Sequence, residues 1–152
     1  MVNRAMIELA KGTFKNAISL ASQLTTDQYN NNSFWGDANN DGNYDTSYTL
    51  SSSLRALSLH GTNDTTIPYD GGTVNWLSRT FIEAKQSILN IATGLDYVGA
   101  QVNGTTPFNN TNIVKYEYLS GDVVHYQFIG GNHGFGGFKN ELLEIIRNFI
   151  SQ

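Results

Sequence analysis

The chain has no cysteine, only two prolines and few charged residues. The absence of cysteine excludes a disulfide framework and a thiolate metal site. Lysine and arginine number 9 against 13 aspartates and glutamates, so the net charge of -4 offers no basic patch for the phosphates of nucleic acid. No apolar run is long enough to span a bilayer. With 39% hydrophobic residues among 152, the composition is that of a globular protein.

Strand-like and helix-like patterns alternate along the chain, with no internal repeat and no linker between domains. This alternation predicts a single α/β domain over residues 1–152, with a parallel sheet and right-handed connections. Apolar runs of β type predict strands at Asn16–Leu24, Leu54–His60 and Val123–Ile129. Helical periodicity predicts helices at Met1–Ala10, ended by Gly12, at Val74–Ala92 and at Phe138–Ile150. The segments rich in Asn, Gly, Thr and Tyr are expected to be loops: Thr25–Ser53 and Leu95–Gly121.

Two short motifs directly follow the second and third predicted strands. They are His60-Gly61-Thr62-Asn63-Asp64 and Gly130-Gly131-Asn132-His133-Gly134. Open α/β sheets bind ligands at the carboxyl ends of their parallel strands. An aspartate there can accept a hydrogen bond from Nδ1 of a histidine on the neighbouring loop and stabilise the imidazolium that forms when the histidine takes a proton. We therefore predict that Asp64 and His133 are a catalytic acid and base.

Each of these residues also has a plainer interpretation. Asp64 alone is typical of a turn, and His133 alone is typical of a loop histidine bonded to the backbone. The order of the two motifs and the strands that they follow favour the catalytic pair. Asp70 is the alternative acid if Asp64 faces away. Of the other histidines, His60 is expected to end its strand and pack under the Asp64 turn, and His125 is expected to be exposed.

The serine that such a pair would activate is missing. In the α/β-hydrolase arrangement the chain order is nucleophile, acid and histidine, with the serine in a Gly-x-Ser-x-Gly elbow. No serine from Ser19 to Ser151 lies between glycines at that spacing. The chain on its own is therefore predicted to be inactive.

The two motif blocks resemble one family of secreted esterases. Arg55–Gly72 (RALSLHGTNDTTIPYDGG) resembles the segment that carries the catalytic aspartate in poly(3-hydroxybutyrate) depolymerases and the related feruloyl and acetylxylan esterases. Asp122–Gly137 (DVVHYQFIGGNHGFGG) resembles the strand and glycine-rich loop that carry their catalytic histidine, although Phe135-Gly136 stands where that family usually has Trp-Pro. The opening residues are similar to the helix after the elbow, with Met1 matching the methionine of Gly-x-Ser-x-Gly-Gly-x-Met.

This resemblance implies the C-terminal part of an α/β-hydrolase catalytic domain, with about three parallel strands, flanking helices and long loops. It also implies that the serine lay about five positions upstream of Met1, so that the chain is a truncated serine carboxylic-ester hydrolase. The parent enzyme would act on a polyester or a plant cell-wall ester, would be secreted or periplasmic, and would need no cofactor. Trp35, Tyr69 and Phe135 are the candidates for binding the substrate.

One further motif favours a different function. The segment Asp37–Asp45 matches the front of an EF-hand calcium loop, with glycine at the sixth position. The candidate metal ligands are Asp37, Asn39, Asp41, Asn43 and Asp45. Tyr48 stands at the twelfth position, where a bidentate carboxylate is needed, and no helix pattern flanks the loop. The alternative is thus a non-catalytic module or pseudoenzyme that binds calcium or a saccharide.

The predicted strand Asn16–Leu24 indicates how the chain could associate with other copies of itself. In the topology of the resembled family it pairs with the strand that ends in the nucleophile elbow, so without that strand we expect it to form a sheet edge. The segment is uncharged and has no proline, so its N–H and C=O groups lack the usual protection against edge pairing. We therefore predict that the chain self-associates through this edge. The other predicted partner is the ester substrate of the parent enzyme. Neither nucleic acid nor a membrane is an expected partner.

Overall fold

The computed structural model of the protein describes residues 2–9 and 14–152. The predicted end of the first helix, at Ala10 and Gly12, lies outside these residues. Within them the chain is a mixed α/β structure with three α-helices, Val2–Glu8 (α1), Ala84–Gly94 (α2) and Lys139–Ile150 (α3). None of the helices so described is long and apolar enough to cross a membrane.

The strands of the described residues form three sheets. In chain order they are β1 (Asn16–Leu20), β2 (Tyr29–Asn30), β3 (Ser33–Gly36), β4 (Thr46–Tyr48), β5 (Arg55–Gly61), β6 (Gly72–Val74), β7 (Arg79–Phe81), β8 (Ile113–Tyr118) and β9 (Val123–Phe128). The main sheet has the order β1-β5-β9-β8. Strands β1, β5 and β9 are parallel, whereas β8 is antiparallel to β9, so the sheet is mixed. The two small sheets, β2-β3-β4 and β6-β7, are antiparallel.

Both faces of the main sheet are buried, because alternate residues of β5 and β9 face opposite layers. One face packs against α1 and α2 through buried apolar residues: Met6, Ile7, Ala56, Ile88, Ala92 and Val123. The other packs against α3: Leu57, Leu59, Val124, Phe128, Ile145 and Phe149. Truncating a fully buried side chain such as Leu59 to alanine would cost about 2–5 kcal/mol of stability. The strands that lead to the two motifs are therefore held firmly from both sides.

The predicted helix Val74–Ala92 is wrong in its first half. Residues 72–81 form the hairpin of β6 and β7, and α2 begins only at Ala84. Ser78 in the hairpin turn has a φ of 51°, a left-handed conformation that interrupts any helix. Leu77 is exposed. Its helical spacing from the apolar residues of α2 therefore does not reflect a shared buried helix face. The other predicted elements at Leu54–His60, Val123–Ile129 and Phe138–Ile150 match β5, β9 and α3 to within one residue at each end.

Both segments predicted to be loops contain strands. Residues 25–53 hold the sheet β2-β3-β4, and residues 95–121 hold β8. In β8, Lys115 and Glu117 interrupt the apolar and aromatic residues, as is common in a strand at a sheet edge. The strand is defined by its pairing with β9, which local composition does not predict.

Strand β1 is shorter than the predicted Asn16–Leu24. It ends at Leu20 because Ala21 turns into a left-handed conformation with a φ of 48°. As expected, β1 lies at one edge of the main sheet. An apolar groove of about 250 Å³ runs beside this edge and is lined by Val2, Ala5, Met6, Phe14, Ala17, Ile18 and Leu54, with Asn16 as its polar member.

Candidate active site

Asp64 and His133 lie on neighbouring loops at the same edge of the main sheet. Asp64 follows β5 and His133 follows β9, and these two strands are paired in parallel along their whole length. Nδ1 of His133 is 2.8 Å from Oδ2 of Asp64. The side chain of Asp64 is fully buried, whereas 49% of the His133 side chain is exposed. The predicted contact between these two residues is therefore present, with one end of the imidazole held and the other open to solvent.

Backbone hydrogen bonds fix the two loops to each other. The N–H of Asn63 donates to the carbonyl of Gly131 at 2.8 Å, and the N–H of Gly130 donates to Oγ1 of Thr62 at 2.8 Å. Gly61 permits this approach, because a Cβ at that position would lie only 2.2 Å from the oxygen of Gly131. The distance between Asp64 and His133 is thus set by contacts between their two loops as well as by their own hydrogen bond.

The carboxylate of Asp64 is held by donors on both oxygens. Oδ1 accepts the backbone N–H groups of Thr66 at 2.8 Å and Ile67 at 2.9 Å, and Oδ2 accepts from His133. Burial by itself would raise the pKa of Asp64, but the bonds from Ile67, His133 and Thr66 outweigh it and hold that pKa below its ordinary value. Asp64 is consequently an anion at neutral pH, as the partner of a general base must be.

His60 also contacts this carboxylate. Its Nε2 is 3.2 Å from Oδ2 of Asp64 and 2.9 Å from the carbonyl oxygen of Ile67, and its side chain is fully buried. Burial lowers the pKa of His60, so the ring is neutral at pH 7. The sequence predicted that His60 packs under the Asp64 turn but not that it contacts the carboxylate. The spacing of four residues between them was the available signal, since a strand that ends in a tight turn brings such residues together.

His125 was expected to be exposed, and this is wrong. It is fully buried on β9, beneath α2, and burial lowers its pKa to about 3. Its Nδ1 lies 3.1 Å from Oγ of Ser58, and its Nε2 lies 3.0 Å from the hydroxyl of Tyr69. Ser58 stands opposite His125 in the strand register, so the alternation of Ser58 and His60 with leucines along β5 could have indicated one polar face.

The three candidate substrate-binding residues have differing environments. Tyr69 is buried, with its hydroxyl bonded to His125, and burial raises its pKa. Phe135 is buried edge-on against Phe128 at a ring separation of 5.3 Å. Trp35 is half-buried on β3 and donates its indole N–H to the carbonyl of Asn30 at 3.4 Å. These placements give Tyr69 and Phe135 a packing role, and contact with a substrate stays a prediction for all three.

The loop Asp37–Asp45 directs its carboxylates to its own backbone. Asp37 is buried; its Oδ1 accepts the N–H of Asp41 at 2.9 Å, and its Oδ2 accepts the N–H of Gly42 at 3.1 Å. Nη1 of Arg4 is 3.4 Å from the same Oδ2.

The other predicted metal ligands are exposed, and they make local bonds as well. Oδ1 of Asn39 accepts the N–H of Asp41 at 3.3 Å, Oδ1 of Asp41 accepts the N–H of Asn43 at 2.8 Å, and Oδ1 of Asp45 accepts from the hydroxyl of Thr46 at 3.2 Å. Across residues 2–9 and 14–152, no group of three or more histidine, aspartate or glutamate side chains is arranged to hold a metal ion. Calcium binding by this loop stays a prediction.

A polar cavity of about 270 Å³ opens at the carboxyl end of β1 and reaches the Asp64 turn at Ile67. Gln23, Gln28 and Arg79 are among its lining residues, and Nε2 of Gln23 donates to the carbonyl of Pro68 at 2.7 Å. Neither Asp64 nor His133 lines this cavity, so it lies beside the pair and is not a pocket around it.

No known family model matches the chain, and neither a curated protein nor a solved structure matches it.

Proposed function

We propose that this chain supplies the acid and the base of a serine carboxylic-ester hydrolase, and that it is part of an α/β-hydrolase domain. The observation that carries the proposal is the hydrogen bond from His133 to the buried carboxylate of Asp64, at the carboxyl ends of two adjacent parallel strands. The order of acid and then histidine along the chain supports it, as do the strands β1, β5 and β9 with helices on both faces.

In this mechanism Nε2 of His133 accepts the hydroxyl proton of a serine as the serine oxygen forms a bond to the ester carbonyl carbon. Asp64 stabilises the resulting imidazolium through Nδ1. His133 then returns the proton to the leaving alcohol, and water releases the acyl group by the reverse sequence of proton transfers. Within the described residues, the side-chain hydrogen-bond partner of His133 is Asp64 and not a serine. The proposal therefore assigns the nucleophile and the oxyanion donors to another part of the enzyme.

The substrate class rests on the resemblance of the two motif blocks to polyester depolymerases and feruloyl or acetylxylan esterases. We propose a polyester or plant cell-wall ester as substrate, and a secreted or periplasmic parent enzyme. The competing proposal of a calcium- or saccharide-binding module has weaker support, because the most buried acid of the Asp37 loop already accepts two backbone N–H groups and faces Arg4.

The test begins with the nucleotides upstream of the Met1 codon. A Gly-x-Ser-x-Gly-Gly reading frame there would allow a longer chain to be expressed, and we expect that chain to hydrolyse p-nitrophenyl acetate and methyl ferulate and to react with a fluorophosphonate probe. Asp64→Asn and His133→Ala should abolish turnover, whereas Asp70→Asn, which changes the exposed acid of the next turn, should not. An upstream frame without such a serine, or turnover by the 152-residue chain above its His133→Ala variant, would refute the proposal.

Self-association through β1 is the second part of the proposal. The open edge and the adjoining apolar groove support it, because β1 carries neither a charge nor a proline to discourage pairing. Ile18→Lys, which places a charge in that groove, should shift the chain toward monomer in sedimentation velocity, and Val114→Lys on the opposite edge strand should not. Identical monomeric profiles for all three proteins would overturn the idea.

A further inference from the structure

Two imidazoles approach the same oxygen of Asp64. Nδ1 of His133 is 2.8 Å from Oδ2, and Nε2 of His60 is 3.2 Å from it. Only the contact with His133 takes part in the proposed catalysis. The two rings differ in their surroundings, since His60 is fully buried on β5 whereas His133 is half-exposed in a loop.

The partners of His60 decide which of its nitrogens carries the proton. Nε2 faces the carbonyl oxygen of Ile67 and the carboxylate of Asp64, and both groups can only accept a hydrogen bond. Nε2 must therefore be the protonated nitrogen of the neutral ring. Nδ1 is buried and has no hydrogen-bond partner among the described residues, so a second proton there would place an unsatisfied charge in the protein interior.

We propose that His60 is a positioning residue: its Nε2–H donates to the carbonyl oxygen of Ile67 at 2.9 Å, which anchors the turn that binds the Asp64 carboxylate, and the same nitrogen lies 3.2 Å from Oδ2 and helps to keep that oxygen oriented toward His133. The inference rests on the proposed function in one respect, since it takes Asp64 as the catalytic acid.

Asp64 accepts three hydrogen bonds, two at Oδ1 and one at Oδ2, and Nε2 of His60 faces Oδ2 at 3.2 Å. Without His60, the only donor group near Oδ2 among the described residues would be the half-exposed ring of His133. A neutral ring is suited to this task, because it supports the carboxylate without competing with His133 for the proton that catalysis transfers.

Three substitutions of His60 distinguish the effect of the donor at Nε2 from the effect of the volume of the ring. In His60→Gln the amide nitrogen occupies about the position of Nε2, so a donor to Ile67 that also faces Asp64 is kept. In His60→Asn the amide reaches only to the position of Nδ1, and in His60→Leu no donor is present. The measurement is the pKa of Asp64 in the 152-residue chain, from the pH dependence of its side-chain carboxyl ¹³C signal.

We expect the asparagine and leucine variants to raise the pKa of Asp64 by about one unit, because the ionised carboxylate loses the N–H group that faces Oδ2 and its turn loses the anchoring bond to Ile67. The glutamine variant should stay close to the unchanged protein. An equal shift in all three variants, or in none, would overturn the proposal and leave His60 as packing alone.

The unsubstituted protein provides a second test that does not depend on the folding of any variant. Side-chain ¹⁵N spectra should show His60 protonated at Nε2 and bare at Nδ1 across neutral pH, and protonation at Nδ1 instead would overturn the proposal. Neither measurement needs an ester or a nucleophile. A failed esterase test and a failed positioning test are therefore distinguishable.

Discussion

The turns at Asp64 and Asp37 are alike in sequence and different in what they can do. Both place a buried aspartate before a stretch rich in Asn, Asp, Gly or Thr, and both carboxylates accept two backbone N–H groups. The remaining acceptor positions of Asp64 face two imidazoles, whereas those of Asp37 face the guanidinium of Arg4. An imidazole can exchange a proton near neutral pH and a guanidinium cannot. The group that faces the aspartate, and not the turn itself, thus distinguishes the proposed catalytic arrangement at Asp64 from the structural one at Asp37.

The largest expected difference between the two turns is catalytic. In a chain extended upstream to include the proposed serine, Asp64→Asn should lower kcat by about 10⁴-fold, since the imidazolium would lose its anion. Asp37→Asn should leave kcat little changed at a temperature where both variants are folded. Hydrolysis of p-nitrophenyl acetate under saturating conditions measures both. A similar fall in both variants would mean that the comparison reflects folding and not chemistry.

The buried histidines beneath the Asp64 turn should make the protein sensitive to acid. The unfolded chain binds a proton at His125 below about pH 6.5, but the folded chain does so only near pH 3, so stability falls as the pH drops through this window. The shift corresponds to at most about 5 kcal/mol. His60 adds a loss of the same sign, whereas Arg4 stays charged throughout.

Urea unfolding at pH 7 and pH 4 checks this effect. His125→Gln should have a flatter dependence of stability on pH than the unchanged protein, even if its stability at pH 7 is lower. Equal slopes for the two proteins would show that His125 is not the group responsible.

The Asp37 turn should matter for stability instead. Asp37→Ala leaves the N–H of Gly42 without its acceptor and the N–H of Asp41 with only the longer bond to Asn39, which should cost about 1–3 kcal/mol. Asp27→Ala is a matched control, because Asp27 pairs with Arg79 at a partly exposed site and such pairs contribute about 0–1 kcal/mol. Urea denaturation of both variants gives the two values. Equal losses would remove the distinction between the buried turn and an ordinary surface pair.

The smallest expected effect is that of calcium on the Asp37 loop. Because Asp37 is occupied by backbone donors and by Arg4, millimolar calcium should leave Tm unchanged within error. A rise in Tm that EDTA reverses, and that Asp41→Asn abolishes, would instead support the calcium site that the spacing of the loop predicts.

Local sequence patterns were sufficient to predict those strands and helices whose structure is determined by their own residues. The apolar runs of β5 and β9 and the amphipathic residues of α3 could be predicted, and with them the edge at which Asp64 and His133 meet. Strand β8 could not, because its pairing with β9 decides its structure. The burial of His125 was also missed, since the alternation along β9 does not show that α2 covers that face. The contact of His60 with Asp64 depends on the geometry of the turn between them, which the amino-acid composition of the turn does not predict.

Asp64 and His133 follow the two interior strands of the main sheet, paired from Ala56 with Val123 to Gly61 with Phe128. Amides in such a pairing exchange with solvent through openings that approach global unfolding, unlike those of frayed edges and loops. The strands that carry the pair therefore belong to the last cooperative unit to open. Partial melting at the β1 edge or in the small sheets would leave Asp64 and His133 together, so the site should persist for as long as the domain itself does.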